Sequence, residues 1–327
     1  MQINHLEGIG MIKNNILKLF SILMNKNGIN SFMKNKIISL VLLLSFAFLS
    51  AQDFQPQTTA DLQSAVNLWY SSNGLALESY GEINTWDVSL ITDMNNLFYN
   101  KVYFNDDISN WDVSNVTNMS TMFDRANDFN HDLSSWDVSS VTNMYRMFYR
   151  AYDFNGDIST WDVSNVTNMQ EMFNQTYVFN SDLSSWDISS VTNVYRMFYD
   201  ARKFNADISF WDVDSLTSLK GMFRSADDFN QDISGWDVSS VTNMQNVFYD
   251  ASDFDQDISG WDISSVTSFS NMYYNTHSLS FDNKCAIHTS FSSNENWSYD
   301  WESNCSGVYK PQTTADLQSA VNLWYSS

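Results

Sequence analysis

The sequence is poor in the residues that interrupt regular structure, with 2 Pro and 10 Gly among 327 residues, so the chain belongs among folded proteins. It has 2 Cys, too few to supply the ligands of a cysteine metal site. It has 16 basic residues against 38 acidic ones. Against these shortages stand 12 Trp, 16 Tyr and 23 Phe, and so many aromatic residues need a structural cause.

The start of the chain resembles an export signal. From Met33, two lysines precede an apolar run at 37–49, and small residues follow up to Ala51. This pattern is typical of a signal peptide cut after Ala51. A membrane-spanning helix needs about 20 apolar residues, and no second apolar stretch follows. We therefore assign 1–51 to an upstream extension plus signal peptide, and expect a secreted or cell-surface protein without a transmembrane segment after cleavage.

The charge of the remaining chain narrows the class of partner. Removing 1–51 takes away five Lys and one Glu, which leaves 11 of the 16 basic and 37 of the 38 acidic residues, a net charge of −26. Nucleic acids and anionic membranes would be repelled by such a surface. The expected partner is an extracellular or host protein, or a surface glycan.

A 25-residue repeat runs through the middle of the chain. Eight tryptophans follow one another at a spacing of 25 without an insertion, and we expect them to form the structural core. These are Trp86, Trp111, Trp136, Trp161, Trp186, Trp211, Trp236 and Trp261. A carbohydrate-stacking platform is the alternative explanation for the aromatic columns.

The other columns of the repeat predict secondary structure. With each Trp as position 0, positions 1 and 21 are always Asp, position 6 is always Thr, and positions 12 and 18 are nearly always Phe. Alternating apolar residues at 0 and 2 predict a short strand, and apolar residues at 5, 8, 11, 12 and 15 have helical spacing. We therefore predict an α/β repeat solenoid, leucine-rich-repeat-like, with short parallel strands on one side and short helices on the other, in eight coils of 25 residues.

The repeat FNxDISxWDVSxVTNMxxMFxxA resembles that of BspA-type leucine-rich-repeat surface proteins. The resemblance covers about 81–284. It weakens at the ends, at Lys101 in place of Ala and at Asn283 in place of Ile or Leu. It implies an exported bacterial protein of the kind linked to adhesion and protein binding, without catalytic residues.

The flanks of the repeat are expected to cover its ends. Within 52–80, a stretch after Thr58 places apolar residues on one helical face and predicts an N-terminal capping helix. A C-terminal cap is expected at 285–309. Residues 311–327 repeat 56–72 letter for letter, so 310–327 is expected to open a second module of a longer tandem protein.

The two cysteines, Cys285 and Cys305, lie in the predicted C-terminal cap. Pairing is the expected state of two cysteines in an exported protein, and the alternative, a metal site, lacks the further ligands that it would need. We predict a disulfide between them.

The sequence contains little that indicates catalysis or cofactor binding. The three histidines after the signal, His131, His277 and His288, occupy unrelated repeat positions, and no known catalytic motif occurs. We expect no enzyme and no cofactor. Each Asp of the two columns is expected to accept hydrogen bonds from turn amides. A Ca²⁺ ion bridging neighbouring coils is the alternative.

The candidate binding residues lie where the repeat varies. Nine of the eleven basic residues fall at positions 9 to 17, with most Tyr beside them, and both types are enriched at the energetic centres of interfaces. The predicted binding residues are Tyr145, Arg146, Tyr149, Arg150, Tyr152, Tyr195, Arg196, Tyr199 and Arg202. A solvated face that balances the acidic side is the alternative.

Two functions are compatible with these features. The first is an adhesion or protein-binding scaffold at the cell surface. The second is an accessory binding domain of a secreted polysaccharide-degrading system.

Overall fold

The computed structural model describes residues 54–305 and, beyond them, 313, 314, 317, 318 and 321. The predicted signal peptide lies outside the described residues. So do the last residues of the predicted C-terminal cap and most of the predicted second module.

Helices occur in the described chain only before and after the repeats. The helices are α1 (Thr59–Ser71), α2 (Asn73–Tyr80), a 3₁₀ turn (Ile83–Thr85), α3 (Phe281–Phe291) and α4 (Glu302–Cys305). From 86 to 280 the chain forms turns, bends and isolated bridges, without a helix or a strand.

The predicted α/β solenoid of parallel strands and helices is therefore wrong. Within the described residues, strand-like pairing is limited to six isolated parallel bridges at position 7, such as Asp93 with Asn118 and Asn143 with Asn168. The sequence period is nevertheless the structural period, because these partners are 25 residues apart. The chain is a stack of coils, each built from successive turns.

Tight turns replace the predicted helix at positions 8 to 15. In the first coil Leu97 N–H donates to the Met94 carbonyl at 3.2 Å, and Tyr99 N–H donates to the Asn96 carbonyl at 3.0 Å. The residues at positions 10 and 14 have a left-handed backbone in all eight coils, with φ from 52° to 65°. This conformation is incompatible with a right-handed helix.

The remaining amides of this segment join neighbouring coils. Met94 N–H donates to the Asn118 carbonyl at 2.9 Å, and Phe98 N–H donates to the Met122 carbonyl at 2.8 Å. Amides along the segment thus alternate between the turn and the next coil. This satisfies the backbone without either a helix or a continuous sheet.

The distance between coils explains why no helix forms. Successive rings of the Phe column at position 12 lie 5.2 to 6.0 Å apart, for example 5.4 Å between Phe123 and Phe148. A helix with its side chains is about 10–12 Å wide. One helix per coil would therefore force the coils apart and break the ring contacts.

Two turns likewise replace the predicted strand after each Trp. In the third coil Asp137 Oδ1 accepts from Ser139 N–H at 3.0 Å, and Val141 N–H donates to the Val138 carbonyl at 2.8 Å. The chain therefore changes direction where alternation of apolar residues suggested an extended segment.

The core consists of aromatic ladders along the stack. All eight repeat tryptophans are only 2–4% exposed, so they cannot serve as a carbohydrate-stacking platform. In the seven later coils each indole N–H also donates to a carbonyl of the preceding coil, as Trp161 does to Leu133 at 2.9 Å. Indole burial thus joins each coil to its neighbour by both packing and a hydrogen bond.

Helices close both ends of the described stack. Helix α1 begins after Thr58, whose side chain accepts from Asp61 N–H, and it buries Leu62, Ala65, Val66 and Trp69 as its spacing predicts. Lys101, the first departure from the repeat, is buried and its ammonium donates to Asn67 of α1 at 2.8 Å. Burial lowers the pKa of Lys101. This lysine thus attaches the N-terminal cap to the first coil.

Candidate functional site

The two Asp columns form turns, as predicted for them. At position 1 the carboxylate accepts from the amide two residues later in all eight coils, for example Asp162 from Ser164 at 3.0 Å. At position 21 seven coils do the same. The hydroxyl and amide of Ser139 hold the pKa of Asp137 below its usual value. The columns are therefore structural.

We expect chelation to leave the fold unchanged. Fifteen of the sixteen Asp already have a donor within their own turn, and no group of three or more acidic, His or Cys residues in the described chain could hold a metal ion. EDTA should shift the melting temperature by less than about 1 °C, because a ligand bound only by the folded state raises it by mass action. A fall of many degrees, reversed by Ca²⁺, would contradict this.

The predicted binding residues form a half-buried surface on the turn segments, with Arg202 more exposed. Arginine side chains lie over tyrosine rings of the same coil or a neighbouring one along this surface. We call it the Tyr–Arg face. Its members are Tyr145, Arg146, Tyr149, Arg150, Tyr152, Tyr177, Tyr195, Arg196, Tyr199, Arg202, Arg224 and Tyr249.

One half of the face is centred on Tyr149. The guanidinium carbons of Arg146 and Arg150 lie 4.7 and 5.2 Å from its ring centre. Arg146 Nε donates to the buried carboxylate of Glu171 at 2.5 Å, and Arg150 Nε donates to Gln175 at 2.7 Å. Burial is the largest effect and lowers the pKa of Arg146, but the hydrogen bond and charge of Glu171, together with Tyr145 and Tyr149, raise it, and the net shift is upward. Within this half, Arg146 is paired with a carboxylate of the chain, whereas Arg150 is paired with a neutral amide.

The other half is centred on Tyr199. The guanidinium carbons of Arg196 and Arg224 lie 5.3 and 5.4 Å from its ring centre. Arg224 also lies 4.1 Å from the ring centre of Tyr249, in the next coil. Because cation–π contacts fix both ring and guanidinium, the side chains are held in place before any partner arrives.

A third contact joins the halves. Tyr152 stacks on Tyr177 with ring centres 4.7 Å apart, and the guanidinium of Arg202 lies 4.4 Å from the Tyr177 ring centre. Arg202 Nε donates to Asp200 at 2.8 Å. The face is thus continuous across several coils.

A buried carboxylate lies beneath the first half. Asp124 is 3% exposed, and its Oδ1, 3.7 Å from Arg125 Nε, has no hydrogen-bond partner in the described structure. Burial raises the pKa of Asp124 to about 6, although Arg125, Arg146 and Arg150 oppose the shift and Glu171 adds to it. Ionised Asp124 is therefore a source of instability at neutral pH.

We expect Asp124→Asn to stabilise the protein at pH 7.5. The folded pKa is about 6, above an unfolded value of about 3.9. The penalty is therefore absent below about pH 4 and grows as pH rises through 6. Removing it should add about 1–3 kcal/mol at pH 7.5. Denaturant melts from pH 4 to 8 measure this, and an equal gain at pH 4 would contradict the assignment.

The binding residues predicted from the sequence did not include three members of the face or the Glu171 carboxylate that pairs with it. Glu171, Tyr177, Arg224 and Tyr249 became recognisable only when coils were stacked, because their contacts cross the 25-residue period. Comparing each Arg with the residue 25 places on would have suggested Glu171 and Gln175.

The remaining candidate residues lie away from this face. Cys285 and Cys305 form a disulfide between α3 and α4. His131 Nε2 is 2.8 Å from the Asn105 carbonyl oxygen, and His288 Nδ1 accepts from the indole of Trp297 at 3.1 Å. In the described part of the chain, no helix is both long and apolar enough to cross a membrane.

The geometry defines a repeat protein made of stacked 25-residue coils. The chain belongs to the family described as "Mycoplasma protein of unknown function, DUF285", whose model matches residues 66–186, 136–228 and 178–286. The comparison with curated proteins found no match, and neither did the comparison with solved structures.

Proposed function

We propose that this protein is an exported, non-catalytic surface protein of BspA type that binds a protein partner through the Tyr–Arg face and so acts as an adhesion scaffold. The observation that carries the proposal is the fixed arrangement of guanidinium groups over tyrosine rings in consecutive coils, as at Tyr149 and Tyr199. Tyr and Arg combine large contact area with directional hydrogen bonds, and a partner that meets them prepositioned loses less entropy on binding.

The flatness of the surface favours a macromolecular partner over a small molecule. Small ligands are bound in enclosed pockets that cover most of their surface. The Tyr–Arg face is instead a row of half-buried side chains that extends over several coils. Its expected partner is an extracellular or host protein.

A quadruple variant tests the proposal. Beads coated with the purified chain should adhere to cultured cells, and changing Tyr149, Arg150, Tyr199 and Arg202 to Ala should abolish adhesion while leaving the circular dichroism spectrum unchanged. The matched control is Asn115→Ala, outside the face, where the amide donates to the Ser89 carbonyl. Adhesion that survives the quadruple change but is lost in the control would refute the proposed surface.

A further inference from the structure

The two halves of the Tyr–Arg face differ at two positions of the repeat. Position 14 is Arg150 in the first half and Asp200, which pairs with Arg202, in the second. The other difference concerns position 10. Arg146 and Arg196 occupy position 10 of coils that are two repeats apart. The residue 25 places after Arg146 is Glu171, whose carboxylate accepts from Arg146 at 2.5 Å. The residue 25 places after Arg196 is Gly221. The carboxylate that pairs with Arg146 therefore has no counterpart beside Arg196.

Three cations in this region consequently lack an ion-pair partner, although Asp200 pairs with Arg202 beside them. No acidic residue in the described chain lies within ion-pair distance of Arg196, Lys220 or Arg224. Lys220 lies beside Arg196, whose N–H donates to the Lys220 carbonyl at 3.2 Å. The Nε of Arg224 is buried and lacks a hydrogen-bond partner there.

The missing side chain at Gly221 lets Arg196 pack closely against the backbone of the next coil. A Cβ atom at Gly221 would lie 3.1 Å from Cγ of Arg196, so Arg196 lies directly over the glycine. The backbone does not require glycine, because φ is 65° at Gly221 and 55° at Glu171. The fold thus accepts an acidic side chain at this position and this coil lacks one.

We propose that Arg196, Lys220 and Arg224 bind a carboxylate in a short acidic segment of a polypeptide, which pairs with Arg196 as Glu171 pairs with Arg146. Guanidinium groups bind carboxylates through paired, charge-assisted hydrogen bonds, and lysine adds a further charge. This inference deepens the proposed function, on which it rests, by naming the chemistry of the partner.

Aromatic geometry favours a polypeptide over a glycan. Tyr199 already contacts two guanidinium groups, and Tyr249 contacts Arg224 on one side and stacks on Tyr274, with ring centres 4.7 Å apart. The ring faces that a sugar would stack on are therefore occupied. Hydroxyl groups and guanidinium edges remain, and these suit acidic side chains.

A charge-supplying variant tests the site. A labelled oligoglutamate peptide should bind the full chain, measured by fluorescence polarisation, and binding should weaken as salt screens the charges. Gly221→Glu supplies the carboxylate from within the chain, so affinity should fall by at least about tenfold, since a paired charge no longer attracts the ligand. The matched control Gly221→Gln has the same size without charge and should retain most of the affinity.

The converse variant should create a site. Glu171→Gly frees Arg146 and leaves a glycine beside it, so the chain should bind two peptides in place of one. Glu171→Gln also removes the carboxylate that pairs with Arg146, while keeping a side chain of the same size. It serves as a second variant if Glu171→Gly unfolds, and the expected result is tighter overall peptide binding.

Three outcomes would overturn the carboxylate site. They are equal loss of affinity in Gly221→Gln and Gly221→Glu, unchanged peptide binding in Gly221→Glu, and heparin fragments that bind tighter than oligoglutamate. Bead adhesion separates this inference from the proposed function. If the quadruple variant loses adhesion but the unmodified chain does not bind oligoglutamate, only the acidic partner is refuted. If the peptide binds in a Gly221-dependent way but the unmodified chain does not adhere to cells, only the adhesion scaffold is refuted.

Discussion

Trp186→Ala is expected to lower the free energy of unfolding by about 3–5 kcal/mol, the usual cost of deleting a large aromatic side chain from a core. The Trp186 indole is 3% exposed, stacks on Trp161 with ring centres 6.3 Å apart, and donates to the Ile158 carbonyl at 3.2 Å. Removing it leaves a cavity and an unsatisfied carbonyl between two coils. Since repeats are stabilised by their neighbours, both halves of the stack should be affected.

Tyr195→Ala is the matched control for this experiment. Tyr195 lies at position 9 of the same coil and is half-buried, and its ring centre is 4.9 Å from the guanidinium carbon of Arg196. Its loss should cost about 1 kcal/mol, the scale of a surface cation–π contact. Urea denaturation followed by circular dichroism measures both variants. Equal shifts of the two midpoints would show that the assignment of interior and surface is wrong.

Replacing both Cys285 and Cys305 by Ser is expected to cost about 3 kcal/mol, because the disulfide closes a loop of 20 residues. This loop carries the aromatic cluster that covers the last coil. Within it the Tyr299 hydroxyl accepts from Tyr273 N–H at 2.8 Å, and Trp297 packs against Phe269 with ring centres 5.2 Å apart. The last coil should therefore fray before the rest of the stack.

Hydrogen exchange measures where the stability is lost. Amides of the final coil, such as Met272, should exchange faster in the double serine variant, whereas amides of the central Phe column, such as Phe148 and Phe173, should be unchanged. Uniform acceleration along the stack would contradict local fraying. Free thiols detected by mass spectrometry in the unmodified protein, purified from an oxidising compartment, would contradict the pairing itself.

Local patterns were sufficient for several features. The Trp spacing identified the number and length of the coils, and the apolar face of 58–71 identified α1, because both depend on residues close in sequence. The Asp columns were expected to accept from turn amides and do so, since an Asx turn needs only the next two residues. These features arise within one coil or one helix.

The sequence pattern alone could not show whether each coil is built from a helix or from tight turns. Apolar residues at positions 5, 8, 11, 12 and 15 fit a helix and also fit a chain of tight turns. A further signal was present at positions 10 and 14, where residues that tolerate a left-handed backbone recur, among them Asn96, Asn246 and Gly221. Arg146 and Glu171 occupy the same positions, however, and they conceal it.

By itself, the sequence determined the period, the inward-facing columns and the capping helix. Each of these can be read from the spacing of apolar residues along the chain. Only the tertiary structure decided that turns replace strands and helices, and which Arg meets which Tyr or Glu. The reason is the distance of 5.2 to 6.0 Å between stacked rings of neighbouring coils. That spacing is about half the width of a helix, and it brings side chains 25 residues apart into direct contact.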